Sequence, residues 1–253
     1  MPLKFSDITV SLLWADTDKE LPLSDPSPTD EANVPSAFAL SEAGRAFKIA
    51  IDNELEDGLC IDVVIDGQTV TEVTCGAGEY GCIRGVAGTE GILPFAFGEL
   101  KTKEDDEQDG TFVDRSSLGV IEVSACRAVL SEGDGPSIQG NDAVIAPVGP
   151  VSEKDKLLSW HTVLLGEPEP IEPYVPCNVR YIDSPQEPYA TFKFMYRSIQ
   201  ALERLDMFLV DDMIVRPSVG DKRPLAQTNA LVAPSAKRRV AIASAEVIDL
   251  TDD

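Results

Sequence analysis

The chain has 253 residues, and its 21 Lys and Arg against 44 Asp and Glu give a formal net charge of -23. This length allows one or two domains of roughly 100–200 residues. A membrane span needs about 18 consecutive apolar residues, and no stretch of the chain approaches that length. Residues 1–7 lack the apolar core and cleavage site of a signal peptide. We therefore expect a soluble, unsecreted protein.

Alternating apolar residues predict a series of short strands in the first half of the chain. Residues 1–14 are expected to form the first strand, and residues 16–36, rich in proline and acids, a loop. The dipeptide Asp66-Gly67 lies between two such runs and is typical of a hairpin turn. Further strands are predicted over residues 47–51, 59–65, 69–75, 80–83 and 92–97.

The second half of the chain continues the same pattern. We predict a charged loop over residues 101–110, a second loop over 131–153, and strands over 118–130, 160–165, 178–182 and 189–196. In the last of these strands, alternate apolar residues share one face. A single helix is predicted over residues 198–209, because Ile199, Leu202, Leu205 and Phe208 or Leu209 recur at spacings of three and four.

Many short strands and one helix predict an all-β fold, an antiparallel β-sandwich (jelly-roll-like) with one C-terminal helix. We place this acidic domain at residues 1–212 and a disordered tail at residues 213–253. From residue 213 on there are six Lys or Arg and five Asp or Glu, so that the tail carries +1 and residues 1–212 carry -24. The tail has no aromatic residue and too little apolar surface to order itself.

Catalytic and metal-binding patterns are not evident. His161 is the single histidine; it could pair with Ser159 or a cysteine, but no G-x-S-x-G sequence accompanies it. The glycines between Gly76 and Gly91 lack the phosphate-binding G-x-x-x-x-G-K-[ST] pattern. The five cysteines form no C-x-x-C pair and are expected to be reduced. We therefore predict a protein that is not an enzyme and holds no metal or cofactor.

Five segments of the domain resemble a domain-of-unknown-function family that is expanded in basidiomycete fungi. They are residues 41–47, 64–67, 93–100, 118–123 and 190–197. The resemblance covers roughly residues 5–210 and implies an all-β domain and a fungal source, without any catalytic residues. Leu93 stands where the family more usually has an arginine, which leaves the implied fold unchanged.

The chain ends with a short apolar segment between acids, Glu246-Val247-Ile248-Asp249-Leu250-Thr251-Asp252-Asp253. This segment resembles the SUMO-interacting motif. Such a peptide adds as a strand to the edge of a sheet, so that backbone hydrogen bonds supply part of the affinity. The apolar side chains are then expected to fill the groove, and the acids to meet its basic rim.

Two basic clusters precede this segment. Lys222 and Arg223 form the first cluster, and Lys237, Arg238 and Arg239 form the second, with 13 residues between the two clusters. Their arrangement resembles a bipartite nuclear import signal, with importin as the partner. The spacer is slightly longer than the commonest one, and a charge-balancing linker in a cytoplasmic protein is the alternative.

These features together predict a non-enzymatic nuclear binding or adaptor protein that recognises SUMO or sumoylated partners through its tail. The acidic domain is expected to bind neither nucleic acid nor membranes directly, because such binding needs Lys and Arg. Two alternatives stay open. One is an acidic β-sandwich that binds histones or other basic proteins, and the other is a β-domain hydrolase or carbohydrate-binding module.

Overall fold

The computed structural model describes residues 2–25, 33–88, 90–100, 102–103, 117–132, 151–152, 161–170 and 177–216. Within these ranges the chain forms 17 strands and one short helix, α1 (Ile199–Arg204). No helix in the described ranges is long and apolar enough to cross a membrane. The strands are β1 (Leu3–Phe5), β2 (Ile8–Trp14), β3 (Ser36–Leu40), β4 (Phe47–Asn53), β5 (Gly58–Ile65), β6 (Gln68–Cys75), β7 (Tyr80–Ile83), β8 (Gly85–Gly88), β9 (Gly91–Glu99), β10 (Thr102–Lys103), β11 (Val120–Glu132), β12 (Val151–Ser152), β13 (His161–Leu165), β14 (Cys177–Tyr181), β15 (Ala190–Arg197), β16 (Phe208–Val210) and β17 (Met213–Val215).

The largest sheet has the strand order β3-β15-β11-β5-β6, and β14 pairs with the far end of β11. Its neighbours are antiparallel, except that β3 runs parallel to β15. Because successive side chains of a strand point to opposite faces, the β5 residues Ile61 and Val63 and the β15 residues Phe192 and Phe194 are all directed into the core. The predicted alternation of residues 189–196 is therefore confirmed.

The opposite layer contains a sheet of order β1-β2-β4-β7 and a sheet of order β13-β9-β8. Phe47 of β4 stacks on Phe97 of β9 with ring centroids 4.4 Å apart, and Phe97 packs against Tyr196 of β15 at 5.3 Å. Full burial of a large apolar side chain stabilises the fold by about 1.5–3 kcal/mol. The predicted all-β sandwich is confirmed, and these rings lie where its two layers meet.

The large sheet continues beyond β3 through residues 22–24. Backbone hydrogen bonds of 2.9 Å join these residues to β3, and Ile214 of β17 donates to Leu23 at 3.0 Å. The antiparallel ribbon of β16 and β17 is therefore the outermost part of this side of the sheet. Helix α1 covers it, since Leu202 packs with Leu40 and Ile214.

The N-terminal region differs from the predicted single strand over residues 1–14. It forms two antiparallel strands, β1 and β2, with Ser6 and Asp7 between them. Ser6 has φ of 50°, in the left-handed region that reverses the chain within two residues. The alternation of apolar residues shifts by one position here, from Leu3 and Phe5 to Ile8 and Val10, which is the trace that this turn leaves in the sequence.

The predicted helix over residues 198–209 exists but is shorter. Ser198 caps its start by accepting the N–H of Ala201 at 3.2 Å. At its end, Asp206 has φ of 56°. The N–H of Asp206 donates to the carbonyl of Glu203 at 3.1 Å, and the N–H of Met207 donates to the carbonyl of Leu202 at 3.0 Å. These are the bonds of a Schellman motif, which ends the helix and turns the chain into β16.

Ordered structure also extends past the predicted domain boundary at residue 212. β17 pairs with β16 across it, and Ile214 is buried. Residues 217–253, the greater part of the predicted tail, lie outside the described residues.

Candidate functional site

A buried carboxylate lies at the turn between β5 and β6. Asp66 has φ of 51° and is only 3% exposed, because the turn folds its side chain back into the domain. Tyr196 donates its hydroxyl to this carboxylate, with 2.6 Å to each oxygen. Thr162 donates its hydroxyl at 3.1 Å, and the backbone N–H of Gly119 donates at 2.7 Å. Asp66 therefore ties together β13, β15 and the turn before β11.

The charges of this site follow from burial. Burial raises the pKa of Asp66, and the hydrogen bonds from these three donors and from the backbone N–H of Val163 oppose that change. The pKa of Tyr196 lies well above its usual value because the hydroxyl is buried beside the Asp66 charge. Arg197 is also buried, and burial lowers its pKa; its guanidinium donates to the carbonyls of Gly119 at 2.7 Å and Tyr196 at 2.8 Å.

A second polar pair adjoins this carboxylate. The hydroxyl of Ser41, just after β3, lies 2.7 Å from Nδ1 of His161, the first residue of β13. The backbone N–H of Ser41 donates to the carbonyl of Arg197 at 2.9 Å. Burial lowers the pKa of His161, while Glu99, directly opposite on β9, raises it. The pair joins the edge of the large sheet to the opposite layer.

A serine hydroxyl bonded to an imidazole is the first pair of a nucleophilic constellation. Ser41 is only 2% exposed, however, and its N–H is already bonded to Arg197. A nucleophile must reach a substrate carbonyl or phosphoryl group, and this hydroxyl is closed off from one. The geometry therefore suits a fixed link between sheets better than catalysis.

A different pair of acids lies on the outer face of the large sheet. Asp62 of β5 and Glu72 of β6 are directly opposite each other, and the pKa of Asp62 is raised by burial and by the Glu72 charge. Neither carboxylate forms an ion pair with the described residues. Nearby, Cys60 lies 3.1 Å from the hydroxyl of Tyr181, and burial raises the thiol pKa to about 11.

The described side chains form no metal-ligating cluster. In the described part of the chain, no group of three or more His, Cys, Asp or Glu could hold a metal ion. All five cysteines are free thiols, of which Cys82 and Cys177 are exposed. High thiol pKa values, such as about 11 for Cys75, keep the buried cysteines protonated and unreactive.

Of His161, Ser159 and the candidate tail residues identified from the sequence, only His161 lies within the described residues. His161 lies in β13, beside Ser41 rather than a cysteine, while Ser159 is outside the described residues. Both basic clusters (residues 222–223 and 237–239) and the SUMO-type residues 247–253 are also outside them. The structure brings none of these tail residues into a described site.

The polar cluster around Asp66 was not predicted. The sequence pattern predicts Asp66 as a turn residue and Tyr196 as one more residue of a buried face. One signal was present, because a buried tyrosine needs a partner for its hydroxyl. That signal does not say which of the 44 acids is the partner.

Comparison with known proteins bears on the domain. A family model described as a domain of unknown function, DUF7918, matches residues 25–208. No curated protein and no solved structure matches the chain.

Proposed function

The chain belongs to the DUF7918 family, a family of unknown function, and we propose that it is a non-enzymatic nuclear adaptor that recognises SUMO or sumoylated partners. The observation that carries this proposal is the C-terminal sequence from Glu246 to Asp253. The expected distribution of the family in basidiomycete fungi is part of the same proposal.

The apolar part of the segment supports strand addition to SUMO. Val247 and Ile248 are β-branched, which favours the extended backbone that a sheet edge requires. Together with Leu250 they supply three apolar contacts, and the segment has no proline to interrupt the backbone hydrogen bonds. One short segment would thus supply both backbone hydrogen bonds and buried apolar side chains to the groove of SUMO.

The acids set orientation and salt dependence. Glu246 precedes the apolar residues, Asp249 lies among them, and Asp252 and Asp253 follow. Their charges attract a basic groove rim and fix the direction of the added strand. Ordering a free segment costs about 2–5 kcal/mol of the interaction energy, so we expect micromolar affinity.

Nuclear import is the second part of the proposal. Lys222 and Arg223, followed by Lys237, Arg238 and Arg239, provide two basic clusters for the acidic grooves of importin. The tail is close to neutral overall, whereas residues 1–212 carry -24. The basic residues therefore lie on the part of the chain where the local field repels an acidic receptor least.

The test is an NMR titration of isotope-labelled SUMO with the full chain. We expect shifts along the edge-strand groove of SUMO, and their loss when Val247, Ile248 and Leu250 are changed to Ala. The matched control changes Leu225, Leu231 and Val232 to Ala, which removes three apolar side chains from elsewhere in the tail.

The control variant is expected to bind like the wild type. A peptide of residues 240–253 should give the same shifts. Absence of shifts at millimolar peptide would refute SUMO recognition, since no weaker affinity could serve an adaptor.

A basic-protein-binding domain is the second candidate function, and the pair of Asp62 and Glu72 favours it. Two carboxylates directly opposite each other, with no cation among the described residues, would gain from a Lys or Arg of a partner. In the full chain, Asp62→Asn with Glu72→Gln should then weaken salt-sensitive histone binding. Glu167→Gln with Glu187→Gln, two exposed acids, is the control of equal charge change.

A further inference from the structure

The β16–β17 ribbon ends in a tight turn of two acids. Asp211 and Asp212 have φ of 47° and 60°, which are the positive values of a type I′ turn. Such a turn makes its flanking residues, Val210 and Met213, a hydrogen-bonded pair. The next pair, Leu209 and Ile214, is then non-hydrogen-bonded. This agrees with the N–H of Ile214, which points away from β16 and donates to Leu23.

The backbone groups of Leu209 therefore point outward from β16. Their N–H and C=O have no partner among the described residues. Leu209 and its neighbour Val210 are 38% and 37% exposed, although both are large apolar residues. β16 is thus an open edge strand with apolar side chains, the kind of edge to which another strand can add.

Charge at the turn selects the strand that would add. Asp211 and Asp212 are exposed, and neither forms an ion pair with any residue that the structure describes. An antiparallel strand on β16 would begin beside these acids. A segment that fits has basic residues first and then small or β-branched apolar residues.

We propose that residues 237–242 of this chain dock on β16 as an antiparallel strand. The segment reads Lys237-Arg238-Arg239-Val240-Ala241-Ile242. Ala241 exchanges both backbone hydrogen bonds with Leu209 in this register. The flanking pairs are Val240 with Val210 and Ile242 with Phe208, and the three basic residues lie beside the acidic turn.

The remaining apolar segments of the tail fit less well. Val247–Leu250 is flanked by acids, which the turn would repel. Leu231 and Val232 are followed closely by Pro234, which has no N–H to donate. Residues 237–242 combine the right charge, the right order and an uninterrupted backbone.

The linker is long enough for this contact. Twenty residues separate Arg216, at the end of the described ribbon, from Lys237. A random-coil chain of 20 residues has an average end-to-end distance of about 25 Å, while β16 lies one strand spacing, about 4.8 Å, from β17. Such a tether gives an effective concentration of about millimolar, so a weak contact is populated.

The contact covers the second basic cluster. Importin then competes with the acidic turn for Lys237, Arg238 and Arg239, whereas residues 247–250 stay accessible. This consequence rests on the import function proposed above: docking regulates import of the protein and leaves the proposed SUMO contact unaffected.

Hydrogen exchange of the full chain tests the proposal. We expect the amides of Leu209 and Ala241 to exchange at least tenfold more slowly than unstructured amides of the same sequence. Asp211→Asn with Asp212→Asn should reduce this protection several-fold, because Asn keeps the positive φ and removes the charge. Leu209→Pro should abolish the protection of Ala241, because it removes the outward N–H without affecting a bond to β17.

The control is Glu167→Gln with Glu187→Gln, which changes the net charge equally and should leave the protection unchanged. Exchange of Ala241 at the unstructured rate in the wild type overturns the proposal. Protection that rises with protein concentration also overturns it, since that result assigns the edge to a second copy. Hydrogen exchange is measured without SUMO. The experiment therefore tests docking on β16 whether or not the chain binds SUMO.

Discussion

Asp62 and Asp66 are four residues apart on β5 and the turn that follows it, yet the surroundings of their carboxylates are opposite in kind. Asp66 is buried and accepts hydrogen bonds from Tyr196, Thr162 and Gly119. Asp62 is half-buried and faces Glu72, a second carboxylate. The pKa of both acids is raised by burial, but donors oppose the change at Asp66, whereas Glu72 adds to it at Asp62. Burial alone therefore does not tell whether an acid holds the fold together.

The largest test of this comparison removes the Asp66 carboxylate. Asp66→Ala leaves the hydroxyls of Tyr196 and Thr162 and the N–H of Gly119 without their acceptor. Each buried unsatisfied group costs about 1–3 kcal/mol, so we expect the free energy of unfolding to fall by about 3 kcal/mol or more. Urea unfolding at constant m value measures the loss. Asp66→Asn, which tolerates the same φ, should cost less; a loss below about 1 kcal/mol for Asp66→Ala would contradict the structural role.

A smaller change isolates one donor. Tyr196→Phe keeps the ring that packs on Phe97 and removes only the hydroxyl at Asp66. A hydrogen bond to a charged group contributes about 1.5–3 kcal/mol, and we expect a destabilisation in that range. Tyr189→Phe removes a hydroxyl from a half-buried ring elsewhere and should change the unfolding midpoint little. Equal destabilisation by the two variants would mean that the hydrogen bond from Tyr196 to Asp66 stabilises the fold no more than the hydroxyl of Tyr189 does.

The Ser41–His161 link provides a test that depends on pH. Burial lowers the pKa of His161, so the imidazole takes up a proton less readily in the folded state than in the unfolded state. Its contribution to stability is present above the ordinary histidine pKa of about 6.5 and is lost as the pH falls through the lowered value. The stability of the wild type relative to His161→Gln should therefore decrease from about pH 7.5 to about pH 5.

Ser41→Ala serves as the companion variant. It removes one hydrogen bond, which costs about 1 kcal/mol, and it keeps the titrating imidazole. Thermal unfolding across the same pH range should show a loss for Ser41→Ala that persists at high pH. A difference between wild type and His161→Gln that does not change with pH would count against the buried, neutral imidazole.

The smallest effect is expected at the pair of Asp62 and Glu72 and has the opposite sign. Glu72→Gln removes a like charge opposite Asp62, so we expect stabilisation of about 0.2–1 kcal/mol and a lower pKa of Asp62. About 1 M salt should reduce the gain, because exposed charges are screened. Glu187→Gln changes the same charge at a site without an opposite acid. NMR titration of the Asp62 carboxyl group shows whether Glu72 raises its pKa.

Local patterns predicted much of the fold. The Asp66-Gly67 turn, the face shared by Phe192 and Phe194 and the strand around Val123 all follow from alternation and turn chemistry, which are properties of neighbouring residues. The helix was predicted too long because its apolar spacing continues to Leu209. The end is set by the left-handed Asp206, a conformation that a spacing pattern does not contain.

The polar contacts are not local. Tyr196 meets Asp66 across 130 positions of sequence, and Ser41 meets His161 across 120. Such pairs depend on how the sheets close, and a single sequence does not encode that closure in any short window. The SUMO-type segment is the reverse case, since its chemistry is contained in eight neighbouring residues and needs no fold.

The parallel pair of β3 and β15 has a consequence for the order of folding. β3 occupies residues 36–40, and its partner spans residues 190–197. During synthesis, the edge of β3 stays without that partner until most of the domain has been made. Hairpins such as β5–β6 can form earlier, but the large sheet closes late, since distant pairing must overcome the entropy of a long loop. Newly made chains therefore expose Ala37 and Ala39, which the finished sandwich buries completely, and pairing with β15 is the step that protects them from aggregation.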